Sequence, residues 1–417
     1  MKFKSIKGTK DILPFEVGAW QLVERTIHDV MRTFNYKEIR TPAFEETSLF
    51  ARSIGELTDI VSKEMYTFKD RSDDSLTLRP EGTASVLRAY IQHALGEQSP
   101  LTKVYYIGPM FRQERPQAGR LRQFHQFGAE AIGSPSPQLD VEMMLMALEV
   151  YTNLGIESST LKINSVGCQK CRPAYKELLI RELRKVYEKL SPESQARVLQ
   201  NPLRVLDSKD ENDQKLTHNA PLIKDHLCSD CTEHFAEARA LLDATKTRYQ
   251  VDGRLVRGLD YYTKTAFEIA NSALGSQDAL AGGGRYDLLV EELGGKPTPG
   301  VGFAAGMERL LMVLAKRELS TDLEVQPVLF IAALNEQSRR WAFVKACELR
   351  SKGISVEVDC LGRSLKAQMR EANRQHARFV VVIGENELAS GSTNLKNMQT
   401  GRESPVKLDS LDSVLRA

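Results

Sequence analysis

Residues 257–268 read RGLDYYTKTAFE. The stretch places one arginine, one aspartate and two adjacent tyrosines among residues that favour an extended strand. A strand of this kind would present its polar groups to a neighbouring ligand. Taken by itself, the pattern fits equally well an edge strand with a solvated charge and one tyrosine in the core. The choice between these two interpretations depends on other segments of the chain.

The composition is that of a globular protein large enough for two or three domains. The chain has 417 residues, of which 41% are hydrophobic. No apolar run is long enough to cross a bilayer, and the first residues, MKFKSIKGTKDILP, lack the features of a signal peptide, so we expect a cytoplasmic protein. The net charge is only +2, from 57 Lys and Arg against 55 Asp and Glu. Affinity for nucleic acid must therefore come from local basic patches.

A second segment with polar groups at a strand end covers residues 75–83, SLTLRPEGT. Its alternation of apolar and polar residues predicts a half-buried strand that ends at Pro80. Glu81 and Thr83 would then lie at the rim, where a carboxylate would make a charge-assisted hydrogen bond to an ammonium group. The same residues open an apparent helix, ASVLRAYIQHAL, so an N-cap is the structural alternative, and Thr83 would be able to serve both roles.

Residues 104–130, VYYIGPMFRQERPQAGRLRQFHQFGAE, predict a strand, an arginine-rich loop and a second strand. By strand alternation, Arg112 and Glu114 would face the same ligand as Gln126 and Glu130. The planar guanidinium of Arg112 suits a phosphate, since it donates two parallel hydrogen bonds. The alternative is a hairpin with a solvated basic loop. That alternative explains the loop arginines better than it explains Arg112 or Glu130.

Two glycine-containing segments follow later in the chain. Residues 279–289, ALAGGGRYDLL, predict a close approach of the backbone, but they lack the spacing of a phosphate-binding P-loop. Residues 300–314, GVGFAAGMERLLMVL, predict a strand followed by a helix with Glu308 and Arg309 in its first turn. A helix N-terminus attracts phosphate, and Arg309 would add a full positive charge. The alternative is an ordinary junction in which the glycines serve only tight packing.

Four of the six cysteines form two C-x-x-C pairs, Cys168 with Cys171 and Cys228 with Cys231. In a reducing compartment, two such pairs match the four-thiolate cage of a structural zinc site. The gap between the pairs is long for such a site. Free thiols on the surface of an insertion are the alternative.

The remaining pattern divides the chain into regions. Apolar residues at helical spacing predict an amphipathic helix over residues 17–34, followed by an extended segment up to Pro42. Residues 150–250 predict a helical insertion, and residues 317–327 predict a linker. Beyond the linker, the strands VLFIAAL, ISVEV and RFVVVI alternate with helices, which indicates a compact α/β domain with a largely parallel sheet. Its second helix carries a basic stripe of four residues, Arg363, Lys366, Arg370 and Arg374, which is either solvated or in contact with phosphates.

The stretch at 257–268 and the segments around Pro42, Arg112 and Arg309 together resemble histidyl-tRNA synthetases, which belong to the class II aminoacyl-tRNA synthetases. The resemblance covers the whole chain. It implies an α+β catalytic domain over residues 1–325, with an antiparallel sheet flanked by helices and a helical insertion at about 168–245. It also implies a C-terminal α/β anticodon-binding domain over residues 326–417, and a homodimer whose interface includes the first class II motif.

The resemblance also implies roles for individual residues. The catalytic residues would be Arg112 and Arg257, on either side of the α-phosphate of ATP. Histidine would be bound by Glu81, Gly82, Thr83, Gln126, Glu130, Tyr261 and Tyr262. ATP would be bound by Arg112, Glu114, Arg120 and Arg309 with Mg²⁺ on its phosphates, while Gln117 and Arg122 would contact the acceptor end of tRNA-His. Neutral imidazole has one donor and one acceptor nitrogen, so a tyrosine hydroxyl and the Glu130 carboxylate would recognise both. Zinc would be structural only.

The implied activity is the two-step charging of tRNA-His through histidyl-adenylate. One rival is a synthetase-like regulatory subunit that binds histidine without charging tRNA. Such proteins lose the C-terminal domain or alter the catalytic arginines, whereas this chain retains both features. A second rival, a class II synthetase for another amino acid, is opposed by the stretch at 257–268. Histidine-dependent exchange of pyrophosphate into ATP would separate the three functions.

Overall fold

The computed structural model describes residues 3–416 apart from 56, 57, 59, 118, 157, 258, 260 and 317–325. The chain divides into two compact units, Met1–Thr321 and Asp322–Ala417. The predicted boundary after residue 325 and most of the predicted linker at 317–327 lie outside the described residues. No helix among the described residues combines the length and the apolar character needed to span a bilayer.

The first unit is built on a large sheet. Its strands are β1 (Lys37–Glu38), β2 (Phe44–Glu46), β3 (Tyr66–Lys69), β4 (Ser75–Leu78), β5 (Thr102–Phe111), β6 (Gln123–Ile132), β7 (Ser159–Ser165), β8 (Tyr249–Val251), β9 (Thr263–Asn271), β10 (Ala279–Arg285) and β11 (Gly300–Gly306). Eight of them form one sheet in the order β1-β5-β6-β11-β10-β9-β7-β8, and β2, β4 and β3 form a small separate sheet. The six central strands of the large sheet pair antiparallel, while β1 and β8 pair parallel at its edges. The predicted antiparallel sheet is confirmed.

Helices flank this sheet. They are α1 (Pro14–Thr33), α2 (Thr47–Ile54), α3 (Thr83–Gln92), α4 (Leu95–Gln98), α5 (Pro137–Asn153), α6 (Arg172–Arg184), α7 (Pro192–Gln200), α8 (Leu203–Leu206), α9 (Glu211–Leu216), α10 (Ser229–Ala244), α11 (Leu289–Glu292) and α12 (Met307–Ala315). The predicted helix at 17–34 corresponds to α1, which starts three residues earlier because Pro14 fits the first helical turn. Val23, Ile27 and Val30 form its buried stripe. They pack with α5 and with the sheet residues Phe127 and Phe303 in one core.

Helices α6 to α10 lie between β7 and β8, within the span predicted as a helical insertion. They have a small core of their own, which includes Tyr175, Leu179, Leu183 and Val198. The last of these helices, α10, instead packs on the large sheet through Phe235 and Leu242. The segment is therefore a helical subdomain attached to the sheet at both of its ends.

The second unit contains β12 (Leu329–Ala333), α13 (Glu336–Ser351), β13 (Val356–Val358), α14 (Leu365–Arg374), β14 (Phe379–Ile383), α15 (Glu385–Ser390), β15 (Ser392–Asn397), β16 (Glu403–Lys407) and α16 (Leu411–Arg416). Its sheet has the order β13-β12-β14-β15-β16. The three predicted strands pair parallel, but β15 and β16 add an antiparallel hairpin that was not predicted. Their sequences, STNLKN and ESPVK, are too polar for a strand signal.

The basic stripe is only partly free of acidic partners. Arg363 precedes α14 and pairs with Asp359 at 2.5 Å and with Glu371 at 3.2 Å. Arg374 also pairs with Glu371. For Lys366 and Arg370, no ion pair is found among the described residues. These two residues are thus the members of the stripe with charge available to a partner.

Candidate active site

A cleft in the first unit collects residues from distant parts of the chain. It encloses about 1030 Å³, counted to its open mouth. Its walls come from the N-terminus of α3, the loop between β5 and β6, strands β6, β10 and β11, the segment before β9 and the first turn of α12.

Glu81 and Thr83 lie where β4 gives way to α3, as predicted. The Glu81 carboxylate accepts hydrogen bonds from the backbone N–H groups of Thr83 at 2.7 Å and Ala84 at 2.8 Å. Glu81 therefore caps the helix, whereas the Thr83 hydroxyl donates to Glu130 at 2.7 Å. The predicted capping role of Thr83 is therefore taken by Glu81. Burial raises the pKa of Glu81 despite these hydrogen bonds, so its ionised form is destabilised and would gain from a cationic ligand group.

Glu130 lies beneath the wall of the cleft rather than in it. Its side chain is fully buried, with one oxygen bonded to Thr83 and the other accepting from the Tyr286 hydroxyl at 2.6 Å. Burial raises the pKa of Glu130 to about 8. The carboxylate fits there because its neighbour on β11 is a glycine, since a Cβ on Gly302 would lie 1.7 Å from Glu130 Oε2. In this structure Glu130 holds wall residues in place.

The tyrosine pair lies at the centre of the cleft. The rings of Tyr261 and Tyr262 are 4.7 Å apart, and Tyr286 contacts Tyr261 edge-on at 6.0 Å. All three line the cleft. The prediction that 257–268 is a strand throughout was wrong, because β9 begins only at Thr263. Arg172 donates a hydrogen bond to the carbonyl of Tyr262, so this carbonyl has a side-chain partner just before the strand begins. Lys264, the second residue of β9, has a positive φ of 48°.

Arg257 reaches the cleft from this non-strand segment. Its guanidinium pairs with Glu268 on β9 at 2.5 Å. It also lies against β10, where a Cβ on Gly282 would be 1.8 Å from Arg257 Nη2. Burial lowers the pKa of Arg257, but Glu268, Tyr262 and Asp207 together outweigh burial, so the net pKa lies above its ordinary value. Arg257 thus remains charged, and its Nε has no hydrogen-bond partner within the described part of the chain.

Arg112 enters from the end of β5. Its Nε donates to the carbonyl of Pro80 at 2.9 Å, and its guanidinium lies 5.3 Å from the centre of the Phe124 ring. Glu114 is 3.8 Å from Arg112 and 3.4 Å from Arg120. The guanidinium of Arg112 is thereby oriented by a carbonyl and a ring. The carbonyl and the ring leave the positive charge of Arg112 in place, and Glu114 is its acidic partner.

Arg309 completes a cationic cluster with Arg112 and Arg120. It donates to the carbonyls of Gly119 at 3.1 Å and Ala279 at 2.9 Å. Burial and the positive charges of Arg120 and Arg112 lower the pKa of Arg309, although Glu114 opposes them. Positive charges that destabilise one another gain from a bound anion. This corner of the cleft is therefore suited to a polyanion such as a triphosphate.

The predicted site residues fall into two groups. Those that line the cleft are Glu81, Thr83, Arg112, Glu114, Arg120, Gln126, Arg257, Tyr261, Tyr262 and Arg309. Those that do not line it are Gly82, Gln117, Arg122 and Glu130. Gly82 backs the wall, since a Cβ there would be 2.3 Å from the Tyr106 ring. Gln117 and Arg122 belong to the loop between β5 and β6, which borders the cleft.

Sequence reasoning missed several residues of the cleft. Tyr286 stands in the glycine-rich segment GGGRYD, whose need for close approach was noted without a role for the ring. Glu308 lines the cleft and accepts hydrogen bonds from the His125 backbone N–H, so it ties α12 to β6 and positions Arg309. Glu268 was quoted in the stretch without its ion pair. No local pattern could have found these contacts, because they join different elements of the fold.

The four cysteines of the two C-x-x-C pairs come together outside the cleft. Their Sγ atoms all lie within 4.8 Å of one another. They belong to two places 60 residues apart in the chain, the turn after β7 and the start of α10. The long gap between the pairs therefore does not prevent their assembly.

Comparison with known proteins identifies the family. The model of the histidyl-tRNA synthetase family matches residues 8–310, and that of an anticodon binding domain matches residues 329–417. The chain is 48% identical over 415 residues to the histidine–tRNA ligase of Syntrophotalea carbinolica, covering 100% of this chain and 98% of that protein. It is 51% identical over 406 residues to that of Chloroherpeton thalassium, covering 97% and 95%. The apo histidyl-tRNA synthetase of S. aureus superimposes with a TM-score of 0.85 at 39% identity over 100% of both chains. The chain therefore belongs to the histidyl-tRNA synthetase family, within the class II aminoacyl-tRNA synthetases.

Proposed function

We propose that the cleft carries out both steps of the histidine–tRNA ligase reaction, in which ATP activates histidine and the aminoacyl group passes to tRNA-His. The observation that carries this proposal is that one cleft is lined both by four arginines and by a second group of side chains. The second group consists of a carboxylate, Glu81, and the tyrosines Tyr261 and Tyr262. The arginines suit the triphosphate, and the other set suits a small amino acid with a basic ring. No protein nucleophile is needed, because histidine itself supplies the attacking carboxylate.

In the first step, a carboxylate oxygen of histidine forms a bond to the α-phosphorus, and the bond from that phosphorus to pyrophosphate breaks. Arg112 and Arg257 approach this point from different elements and carry full charges. They would stabilise the negative charge that builds on the α-phosphate and on the leaving pyrophosphate. Because both are held by neighbouring groups, little reorganisation is required when the charge develops.

The amino acid would be held at the opposite charge set. Glu81 is the buried carboxylate that lines the cleft beside Thr83, and it would accept from the α-amino group. Gln126 has a buried Oε1 without a partner among the described residues, which supports a ligand contact there. Tyr261 and Tyr262 would recognise the imidazole ring. Glu130 would contribute from beneath, through Tyr286 and Thr83, or directly once the ligand displaces one of these partners.

The outer phosphates would lie at Arg120 and Arg309. Mg²⁺ supplies additional positive charge on these phosphates when bound, and Glu114 is the carboxylate within this cluster that would share it. Arg309 would gain from a bound anion, since burial and then its cationic neighbours lower its pKa. The negative charges of Glu114 and of the bound phosphates would thus balance the three guanidinium groups of the cluster.

In the second step, a hydroxyl of the terminal adenosine of tRNA attacks the histidyl carbonyl, and AMP leaves. Gln117 and Arg122, on the loop beside the cleft, would guide the acceptor end of tRNA-His. The second unit, which matches an anticodon binding domain, would contact the anticodon arm. We also expect a cytoplasmic homodimer, and one structural zinc ion at the four cysteines. Light scattering and metal analysis test these last two points.

The main rival is a regulatory subunit that binds histidine without charging tRNA. The four arginines of the cleft and the second unit, which matches an anticodon binding domain, count against it. The test is to measure histidine-dependent exchange of labelled pyrophosphate into ATP, and charging of a tRNA-His transcript, with the purified full chain. Activity in both assays is expected. Histidine binding without exchange would favour the rival, and exchange dependent on another amino acid would assign a different synthetase.

A further inference from the structure

The four-cysteine cluster has the dimensions of a metal site. The distances between Sγ atoms are 3.8 Å for Cys168 and Cys171, 3.7 Å for Cys168 and Cys228, and 3.8 Å for Cys171 and Cys231. A zinc ion bound to four thiolates at about 2.3 Å requires separations of about 3.8 Å between sulfurs. A disulfide would require about 2 Å. The four sulfurs are thus spaced for one tetrahedral ion.

The backbone around the cluster is adapted to the sulfurs. The N–H of Cys168 donates to Cys171 Sγ at 3.1 Å, and the N–H of Lys170 lies 3.4 Å from Cys168 Sγ. Hydrogen bonds to sulfur favour the thiolate form that a metal needs. Gly167 has a φ of 70°, and a Cβ there would lie 2.9 Å from Cys171 Sγ. The turn that carries the first cysteine pair therefore requires a glycine at this position.

The same turn is bonded to the segment that carries the tyrosine pair. The N–H of Val166 donates to the carbonyl of Lys264 at 2.7 Å, and the N–H of Lys264 donates to the carbonyl of Gly167 at 2.8 Å. Arg172 follows Cys171 directly, and its Nε donates to the carbonyl of Val166 at 2.9 Å. Its Nη2 donates to the carbonyl of Tyr262. One side chain next to a cysteine thus fixes the backbone of a cleft tyrosine.

A second connection runs through α10. Cys231 and His234 lie one turn apart on this helix, and His234 Nε2 is 2.6 Å from Asp140 Oδ2. The other oxygen of Asp140 accepts from Arg285 at 2.6 Å, and both of these side chains are fully buried. Arg285 directly precedes Tyr286, which lines the cleft. Both halves of the cysteine cluster are therefore linked to tyrosines of the proposed histidine pocket.

We infer that the four cysteines bind one zinc ion, and that this ion positions Tyr262 and thereby sets the affinity for histidine, with Arg172 as the positioning residue. The inference rests on the proposed assignment of the tyrosines to histidine binding. Zinc takes no part in the reaction. Its role is to hold the turn after β7 and the start of α10 together, so that Arg172 keeps the loop before β9 in place.

The first experiment measures metal in the full chain purified without added zinc. About one zinc per chain is expected. Removal by a chelator should raise the Kd for histidine, measured calorimetrically, by roughly tenfold, the size expected for loss of one hydrogen bond from a charged group. Stoichiometric zinc should restore the affinity, after excess ion is removed by gel filtration because free histidine itself binds zinc.

The second experiment separates the link from the metal. Arg172→Ala should retain zinc yet raise the KM for histidine in pyrophosphate exchange by roughly tenfold, with the KM for ATP changed by less than about twofold. Arg172→Lys should recover part of the loss, since it can still donate to one carbonyl. The control is Lys170→Ala in the same turn, whose ammonium pairs with Asp230 at 2.8 Å on the surface. This control should keep both the zinc and the KM.

Two results would overturn the inference. A metal-free protein with normal histidine affinity would reject the role of zinc. A normal KM for histidine in Arg172→Ala would reject the coupling between the cysteine cluster and the histidine site. Neither result affects the proposed ligase activity, which fails if the unmodified chain lacks histidine-dependent exchange or does not charge tRNA-His.

Discussion

The guanidinium groups of Arg112 and Arg257 are held in the cleft by different contacts. Arg112 is oriented by a carbonyl and by the Phe124 ring and lies 3.8 Å from Glu114, whereas Arg257 pairs with the Glu268 carboxylate at 2.5 Å. A phosphate bound at Arg257 would lie near the Glu268 carboxylate, because that carboxylate is already paired with the guanidinium. The difference makes Arg257 the more informative residue to change.

Replacing Arg257 with Ala should slow formation of histidyl-adenylate by something on the order of 10²- to 10³-fold, since a contact to the developing charge is lost. Histidine binding should change much less. Arg257→Lys keeps the charge without the planar fork, and it should recover only part of the rate. Pyrophosphate exchange and calorimetric histidine binding measure the two effects. A near-normal exchange rate in Arg257→Ala would reject the catalytic role.

Glu130 provides a test of burial through pH. Its pKa is raised by burial from 4.5 to about 8, so the folded state favours the protonated carboxyl. This contribution to stability is fully present below the unfolded pKa of about 4.5 and is lost as the pH rises through about 8. Glu130→Gln imitates the protonated form and removes the titration.

Urea unfolding at about pH 6 and pH 8.5 should therefore show a larger fall in the free energy of unfolding for the unmodified chain than for Glu130→Gln. The difference should be on the order of one to a few kcal/mol. Parallel pH dependence in the two proteins would mean that Glu130 titrates near its ordinary value.

At the scale of elements, the strands and helices with regular patterns were predictable. Strands β4, β5, β6 and β11 and helix α12 follow the predicted segments closely. The segment before β9 was not, because its backbone is fixed by Arg172, which lies 90 residues earlier than Tyr262. The hairpin of β15 and β16 was missed for another reason. β15 is formed by pairing with β14, and β16 by pairing with β15, rather than by their own composition.

Strand β11 offers a matched pair of glycines. A Cβ on Gly302 would lie 1.7 Å from Glu130 Oε2 and 2.7 Å from the carbonyl oxygen of Ala129, while a Cβ on Gly306 would meet nothing closer than 3.9 Å. Gly302→Ala should therefore lower the free energy of unfolding by about 1–3 kcal/mol and weaken histidine binding. Gly306→Ala should leave stability nearly unchanged. Thermal unfolding of both variants measures the difference, and equal melting temperatures would contradict the packing described for Glu130.

At the scale of the whole molecule, the division into two units allows the adenylation reaction to be tested separately from the proposed binding of the anticodon arm. Every residue that lines the cleft belongs to the first unit. The sequence predicts a boundary after residue 325 because the hydrophobic pattern changes beyond residue 327, and the two compact units meet at residues 321 and 322. It could not predict which basic residues of α14 are already paired, since Asp359 and Glu371 are brought to Arg363 only by folding.

A fragment of residues 1–325 should keep histidine-dependent pyrophosphate exchange, provided that it remains folded and has the oligomeric state of the full chain. Charging of tRNA-His should fall sharply through a raised KM for tRNA, because phosphate contacts distant from the reacting atoms are removed. In the full chain, Lys366→Ala with Arg370→Ala should raise the same KM and weaken its dependence on salt. Arg340→Ala, which removes an exposed arginine of α13 paired with Glu336, serves as the control. Equal charging by the fragment and the full chain would reject the anticodon assignment.

The most direct test of the central claim is amino-acid-dependent exchange of labelled pyrophosphate into ATP, measured on the full chain with each of the twenty amino acids and repeated with Arg112→Ala. Exchange that depends on histidine alone, and that falls by roughly 10²-fold or more in the variant, is the predicted result. Exchange that requires another amino acid, or that persists unchanged without Arg112, would contradict the account of this cleft as the site of histidine activation.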